Sequence, residues 1–257
     1  YAGTTPDSIS IGDTLEVQFN ENDEGQTARA ARNKARVNNY NYTQIFDDTI
    51  EISGTAGVVE QHGLQNLYEY EKAKKLNEQA LALEKSLITG VKYQSGGIRQ
   101  MGGLRNFVST NVTDASAAEI STTKINDMIQ QVYDAGGFKS NGRFVLIAPS
   151  IQKRKINNLL SSQVDLDRRD SGRGIVVNDI LTDFGEFPIL LNSNLPSDEV
   201  IFTDLNRLKV RPLGDRGWFH KFLGEVGDSN RGMVLGEYTT EIKQEKAHAR
   251  LKNLKIT

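Results

Sequence analysis

The most regular apolar pattern in the chain runs from Leu64 to Thr89, where Leu67, Tyr70, Ala73, Leu76, Ala80, Leu83 and Leu87 recur at spacings of three and four. That is the period of a helix with one apolar stripe. At 1.5 Å per residue, a helix of about 26 residues spans roughly 39 Å, more than a compact domain needs for its own core. Gly90 follows it and is expected at a left-handed C-cap, where the missing Cβ removes a steric penalty. Glu71 with Lys75, and Glu69 with Lys72, are spaced to pair along its polar sides. A narrow stripe with charged flanks also fits a coiled coil, but only about three heptads are present and glycines bound both ends.

Before this helix the chain reads as extended. Thr14–Phe19 alternates apolar and polar residues at period two, as a half-exposed strand does. Between Asn20 and Asn39 there are few large apolar side chains, an acidic turn (Glu21, Asp23, Glu24) and a basic stretch (Arg29, Arg32, Lys34, Arg36). A segment with so little to bury gains order from a neighbour or stays solvated. After the helix, Ser95–Gly103 is glycine-rich and is expected to be a mobile loop anchored by Leu104, Phe107 and Val108. An α+β pattern follows: a helix over Ser121–Ala135 with Ile125, Met128, Ile129 and Val132 on one face, a strand at Phe144–Ala148, and a helix over Ser150–Leu160. Val176–Leu181 and Phe187–Leu191 are expected to form a hairpin, with further strands at Val200–Phe202, Leu208–Arg211 and Met233–Lys243. Gly227–Gly232 is expected to be a turn.

The composition is that of an ordinary folded chain: 257 residues, 37% hydrophobic, 25% charged, with a formal net charge of -2. No apolar run reaches the ~18 residues that a membrane span requires, and nothing reads as a signal peptide, so the expectation is a protein that stays in the cytoplasm where it is made. With no cysteine, disulfides and thiolate chemistry are excluded. A mildly acidic chain lacks the basic stripe of a dedicated nucleic-acid binder. Candidate chemistry also fails on spacing. Ser95–Gly103 lacks the G-K-[ST] ending of a phosphate loop, and Gly227–Gly232 does not match a serine nucleophile elbow. The polar loop Asp165–Gly174 lacks the ligands of a calcium loop and reads instead as a subunit contact, with Asp167, Arg168 and Arg169 as its candidates. His62, His220 and His248 are scattered, with no metal-ligand spacing. No catalytic, cofactor-binding or metal site is expected.

Six short strings, in this order, carry a family resemblance: Asn41-Tyr42-Thr43-Gln44-Ile45-Phe46, Glu51-Ile52-Ser53-Gly54-Thr55, Arg99-Gln100-Met101-Gly102-Gly103-Leu104, Thr182-Asp183-Phe184-Gly185, Gly227-Asp228 and Gly236-Glu237-Tyr238-Thr239. Each is weak alone; their shared order is not. From about Gly12 onward the chain resembles the major capsid (major head) proteins of tailed bacteriophages, which have the Hong Kong ninety-seven type fold. The resemblance implies an α+β capsid fold with an N-terminal arm remnant (1–12), an E-loop hairpin (13–56), and a long spine helix with the peripheral domain (57–108). It further implies an axial α+β domain (109–206), return strands of the peripheral domain (207–245) and a C-terminal return to the axial domain (246–257).

The implied function is that of a structural subunit assembling as hexamers and pentamers into an icosahedral head around double-stranded DNA. The implied place is the virion, after assembly in the host bacterial cytoplasm. Portal and decoration proteins and weak non-specific contact with packaged DNA are the implied partners. Two other readings stand beside it: an encapsulin-like compartment shell, which has the same fold, and a soluble binding or hydrolytic module sharing these strings. Arg29, Arg32, Lys34 and Arg36 in the E-loop are expected to meet acidic groups of an adjacent subunit. Lys34 is also the obvious donor for the lysine–asparagine cross-link found in one branch of this fold, but no acceptor or catalytic glutamate matches, so cross-linking is not expected. Family members carry residues ahead of the region matching 9–19, so an upstream segment is expected, whether removed by maturation proteolysis or lying outside this sequence.

Overall fold

The computed structural model describes residues 24–25, 27, 38–59, 66–138, 142–161 and 179–256. The expected strand Thr14–Phe19, the basic stretch Arg29, Arg32, Lys34 and Arg36, and the loop bearing Asp167, Arg168 and Arg169 lie outside the described residues. The chain divides into residues 1–39 and a unit spanning Tyr40–Thr257, and the elements below belong to the second. In chain order they are β1 (Gln44–Ser53), α1 (Gly54–Val58), α2 (Leu67–Thr89), β2 (Tyr93–Ser95), β3 (Ile98–Gln100), α3 (Leu104–Phe107), β4 (Val112–Asp114), α4 (Thr122–Asp134), β5 (Phe144–Ala148) and α5 (Ser150–Ser161). There follow β6 (Asp179–Thr182), β7 (Gly185–Leu191), β8 (Val200–Asp204), β9 (Leu208–Pro212), β10 (Phe219–Glu225), β11 (Ser229–Ile242) and β12 (Ala249–Lys252).

The first sheet is built on β11, a 14-residue strand. β1 pairs with it antiparallel from Gln44↔Tyr238 to Ser53↔Ser229. On its other edge β10 lies along the first half and β9 along the second. Alternation sorts β1 cleanly: Phe46, Ile50 and Ile52 are buried while the residues between them are more exposed. Ile50, Ile52 and Val234 make a small core against Leu67, Tyr68 and Leu76 of α2 and against Trp218. Gly232 and Gly236 leave room on β11 for aromatic neighbours, since a Cβ on Gly236 would lie 2.6 Å from Trp218 Cε3.

The second sheet has six strands in the order β4-β12-β8-β5-β7-β6. One face is covered by α4 and α5 through Ile125, Met128, Ile129, Val132 and Ile156. Its centre is aromatic, with Phe144 stacked on Phe202 at 5.3 Å and on Phe138 at 4.5 Å between ring centroids. A separate cluster around Ile201 and Leu195 reaches Ile88, Leu104 and Val108, and so joins this sheet to the end of α2.

Ser121 caps α4, accepting from Lys124 N at 3.3 Å. Five expectations need correction. Gly90 is not left-handed: its φ is -54° and ψ 142°. Its necessity is steric, because a Cβ there would sit 2.6 Å from Met101 O and also against Ser86 O. The apolar stripe of α2 is only half realised. Leu67, Leu76, Leu83 and Leu87 are partly buried, but Tyr70, Ala73 and Ala80 are exposed and Gln79 takes the buried place, donating to Asp47 O at 3.1 Å. The alternate three-residue steps carry the stripe around the cylinder, away from a sheet that touches one narrow line of it.

Lys75 lies on that line and pairs with Asp48 of β1 at 3.0 Å, so Glu71 pairs with Lys74 instead. The glycine-rich loop after α2 is a hairpin, β2 with β3, turning at Gly96-Gly97 with Gly96 at φ +55°. Finally, Ser229–Gly232 belongs to β11, not to a turn, and β10 precedes it as a strand absent from the periodicity because nearly all of it is exposed.

Candidate functional site

Glu237, in the middle of β11, is a carboxylate at 2% exposure. Burial of an ion is costly unless charge and hydrogen bonds surround it. Here Oε1 accepts from Thr43 Oγ1 at 2.6 Å and from Arg99 Nη2 at 3.1 Å, while Oε2 faces Arg216 Nε at 2.9 Å. The same residue exchanges backbone bonds with the loop between β9 and β10, Glu237 N donating to Arg216 O and Leu213 N to Glu237 O. One side chain thus ties together the entry to β1, the β2–β3 hairpin and the β9–β10 loop.

The bonds around it continue the pattern. Asn41 Nδ2 donates to Gly102 O (2.9 Å) and Thr240 O (3.0 Å), and Asn41 Oδ1 accepts from Gly102 N (2.8 Å). Gln44 Oε1 accepts from Met101 N at 3.2 Å, and Thr239 Oγ1 donates to Tyr42 O at 2.8 Å. Lys92 places its ammonium 3.5 Å from the ring centroid of Tyr40. Gly102 and Gly103 are buried, and a Cβ on Gly103 would meet Leu87 O at 2.8 Å, so the hairpin base sits directly on the end of α2. Three of the strings that carry the resemblance, around Asn41, Arg99 and Glu237, therefore meet in space. Two more meet at the far end of the sheet, where Gly54 N donates to Asp228 O at 2.7 Å. The sixth is a hairpin turn: Thr182 Oγ1 donates to Gly185 O, and Asn126 fixes Asp183 at 2.7 Å.

Chemically this arrangement holds elements in place. Each carboxylate oxygen of Glu237 already faces a guanidinium, so the charge is spent on holding its neighbours. A second clamp has the same character: Glu199, 4% exposed, takes two bonds from Arg105 at 2.6 and 2.7 Å. That embrace, more than the partial burial opposing it, raises the pKa of Arg105 above the ordinary guanidinium value. Among the described residues, no group of three or more His, Asp or Glu is disposed to hold a metal ion. His220 meets Tyr68 OH at 2.8 Å on an exposed surface, and His248 is buried on Thr203. Of the candidate contact residues, Arg29, Arg32, Lys34, Arg36, Asp167, Arg168 and Arg169, none lies in the described part of the chain. Glu237, Thr43 and Arg99 were marked in the sequence only as letters of the quoted strings; nothing in the sequence marks Arg216.

The profile of the SU10 major capsid protein family matches residues 6–255, nearly the whole chain. The chain belongs to that family. It is a structural subunit of a bacteriophage capsid shell, built from repeated copies and located in the virion capsid. No curated protein sequence matches it. Solved structures share the fold at low identity. A chain of the cyanophage A-1(L) capsid superimposes with TM-score 0.65 at 9% identity, over 82% of this chain and 77% of its own. A chain of the satellite phage P4 procapsid with its size determination (Sid) protein gives 0.62 at 13%, over 97% and 83%. The holo-SrpI encapsulin complex of Synechococcus elongatus PCC 7942 gives 0.57 at 10%, over 84% and 75%. The capsid subunit and a bacterial compartment shell thus have one fold, and the family match, not the superposition, separates them.

Proposed function

We propose that this capsid subunit assembles as hexamers and pentamers into a closed icosahedral head around double-stranded phage DNA, in the host cytoplasm, with portal and decoration proteins as further partners. In this reading α2 is the spine helix of a peripheral domain formed with the four-stranded sheet, and the six-stranded sheet with α4 and α5 is the axial domain. Residues 13–56 form the E-loop, with β1 as its returning arm along the four-stranded sheet.

The observation that carries the reading is the distribution of uncovered apolar side chains. Leu81 on α2 is 63% exposed, Ile98 on the hairpin 71%, Leu181 on β6 79% and Phe222 on β10 58%. Apolar residues left open on several elements, not gathered in one groove, fit a subunit that neighbours cover from several sides. Net electrostatics fit DNA that is enclosed and not gripped, the formal charge being -2. Arg29, Arg32, Lys34 and Arg36 are the proposed E-loop contacts, and Asp167, Arg168 and Arg169 the proposed contacts of the axial loop.

Velocity sedimentation with negative-stain microscopy of the expressed full chain tests the assembly. Closed shells, or rings of five and six, are expected; a species at the 28.5 kDa monomer mass under all conditions overturns it. Particles from infected cells should hold nuclease-protected double-stranded DNA, whereas a compartment shell would hold protein cargo.

A further inference from the structure

Two chain segments cross between the two sheets and a third enters the six-stranded sheet from α3, and the three are bonded to one another. Residues 108–111 lead from α3 to β4, the 3-10 turn Leu205–Arg207 leads from β8 to β9, and residues 243–248 lead from β11 to β12. Glu245 accepts from Ser109 N (2.8 Å), Thr110 N (2.7 Å) and Thr110 Oγ1 (2.8 Å). Asn111 Nδ2 donates to Lys246 O at 2.9 Å and to His248 O at 3.1 Å. Lys243 N donates to Arg207 O at 3.0 Å, closing the set.

His248 sits at the centre of this joint with no exposed surface. Its Nε2 lies 3.3 Å from Lys243 O and its Nδ1 2.6 Å from Thr203 Oγ1. A carbonyl only accepts, so Nε2 carries the proton and Nδ1 accepts from the Thr203 hydroxyl. The neutral ring is therefore fully satisfied, and a second proton would turn Nδ1 from acceptor into donor, forcing the Thr203 hydroxyl to give up the bond it donates.

The charged groups around it offer no relief. Arg207 is a buried cation, and its Nη2 has no partner. Asp204 spends Oδ1 on the amides of Arg143 (2.9 Å) and Asn206 (3.0 Å) and Oδ2 on Arg207 (3.3 Å). Glu245 spends both oxygens on Ser109 and Thr110. Burial first, opposed by the Lys243 carbonyl, and then the Arg207 charge hold the imidazole below the ordinary histidine range, against weaker pulls from Asp204 and Glu245.

We propose that His248 makes this joint acid-labile: a proton is accommodated only when segment 243–248 leaves Thr203, so acid loosens the connection between the two sheets while each sheet keeps its own core. The sign follows from linkage. A base held neutral in the closed form and free to protonate in the open form contributes stability above the ordinary histidine pKa of ~6.5, and that stability is lost as pH falls below it towards the depressed folded value. The capsid subunit thus has a site at which mild acid alters the angle or freedom between its halves.

Hydrogen–deuterium exchange of the full chain, corrected for the intrinsic pH dependence of exchange, tests this. Between pH 7.5 and 5.5 the opening constant in peptides covering 243–248 and 108–112 should rise, by up to about tenfold, the limit for one proton taken up only in the open form at a pKa of ~6.5. His248→Gln should abolish the rise, and His220→Gln should leave it intact. No pH response in the wild type, or the same response in His248→Gln, overturns the proposal. Should His248→Gln fail to fold, an NMR titration of wild-type His248 decides: a folded pKa below the ordinary range supports it, and one at or above that range refutes it.

Discussion

Glu237→Gln removes the charge at the meeting point of three family strings while keeping the size of the side chain and one acceptor for Thr43. Breaking a fully buried ion pair costs ~3–5 kcal/mol. That is an upper bound here, because the side chains of Arg99 and Arg216 are 40% and 48% exposed and rehydrate when released. Exposed pairs contribute only ~0–1 kcal/mol. Between these limits, with the glutamine amide left facing a guanidinium, the expected loss is about 2 kcal/mol. For a unit of this size, that corresponds to a fall of roughly 4–8 °C in the unfolding midpoint. The assay is thermal and urea unfolding of the unassembled subunit by circular dichroism. Exchange or limited proteolysis should place the loosening in the hairpin Tyr93–Gln100 and the β9–β10 loop, with the six-stranded sheet unaffected. A variant within about 0.5 kcal/mol of wild type, with the hairpin still protected, would show that the side chain holds nothing and that its burial is incidental.

Other outcomes follow from the same geometry. Gly90→Ala should destabilise the subunit by ~1–3 kcal/mol in chemical denaturation, because its Cβ would collide with Met101 O and Ser86 O, both backbone atoms that cannot swing aside. Phe202→Ala should cost ~3–5 kcal/mol, since the ring is wholly buried between Phe144 and Phe187; a loss under 1 kcal/mol would contradict the proposed core. Reversing Arg29, Arg32 and Arg36 to glutamate should leave the subunit's thermal transition nearly unchanged while suppressing closed particles in sedimentation, and wild-type assembly should weaken with added salt. Normal shells from the triple variant would refute the contact role.

The half of the chain that builds the six-stranded sheet was legible because its signals are local. Ile125, Met128, Ile129 and Val132 repeat at helical spacing and are all buried, Ser121 caps the helix they lie on, and Phe144–Ala148 is a strand with those bounds. The other half was legible only where burial is one-sided. β10 escaped notice because its residues are nearly all exposed and a bulge between Phe222 and Gly224 breaks the alternation. The stripe on α2 was over-read because apolar residues on a helix do not state which of them a narrow partner will touch. The Glu237 cluster could not be read from spacing at all: Thr43, Arg99, Arg216 and Glu237 are brought together by strand pairing across most of the chain. The presence of Thr43, Arg99 and Glu237 in ordered strings marked positions that the fold needs, without showing that the need is shared.

The long strand β11 has one more implication, for synthesis. Glu51 and Arg231, bonded across the first sheet, are 180 residues apart in the chain. β12 likewise arrives last and inserts between β4 and β8. Neither sheet can close until β11 and β12 have left the ribosome, and closing such distant pairs is slow. A chain interrupted before β11 lacks the central strand of one sheet and the bridging strand of the other, so it has no finished surface to offer. Strands that come late among these 257 residues thus hold both sheets together, β11 at the centre of one and β12 between two strands of the other.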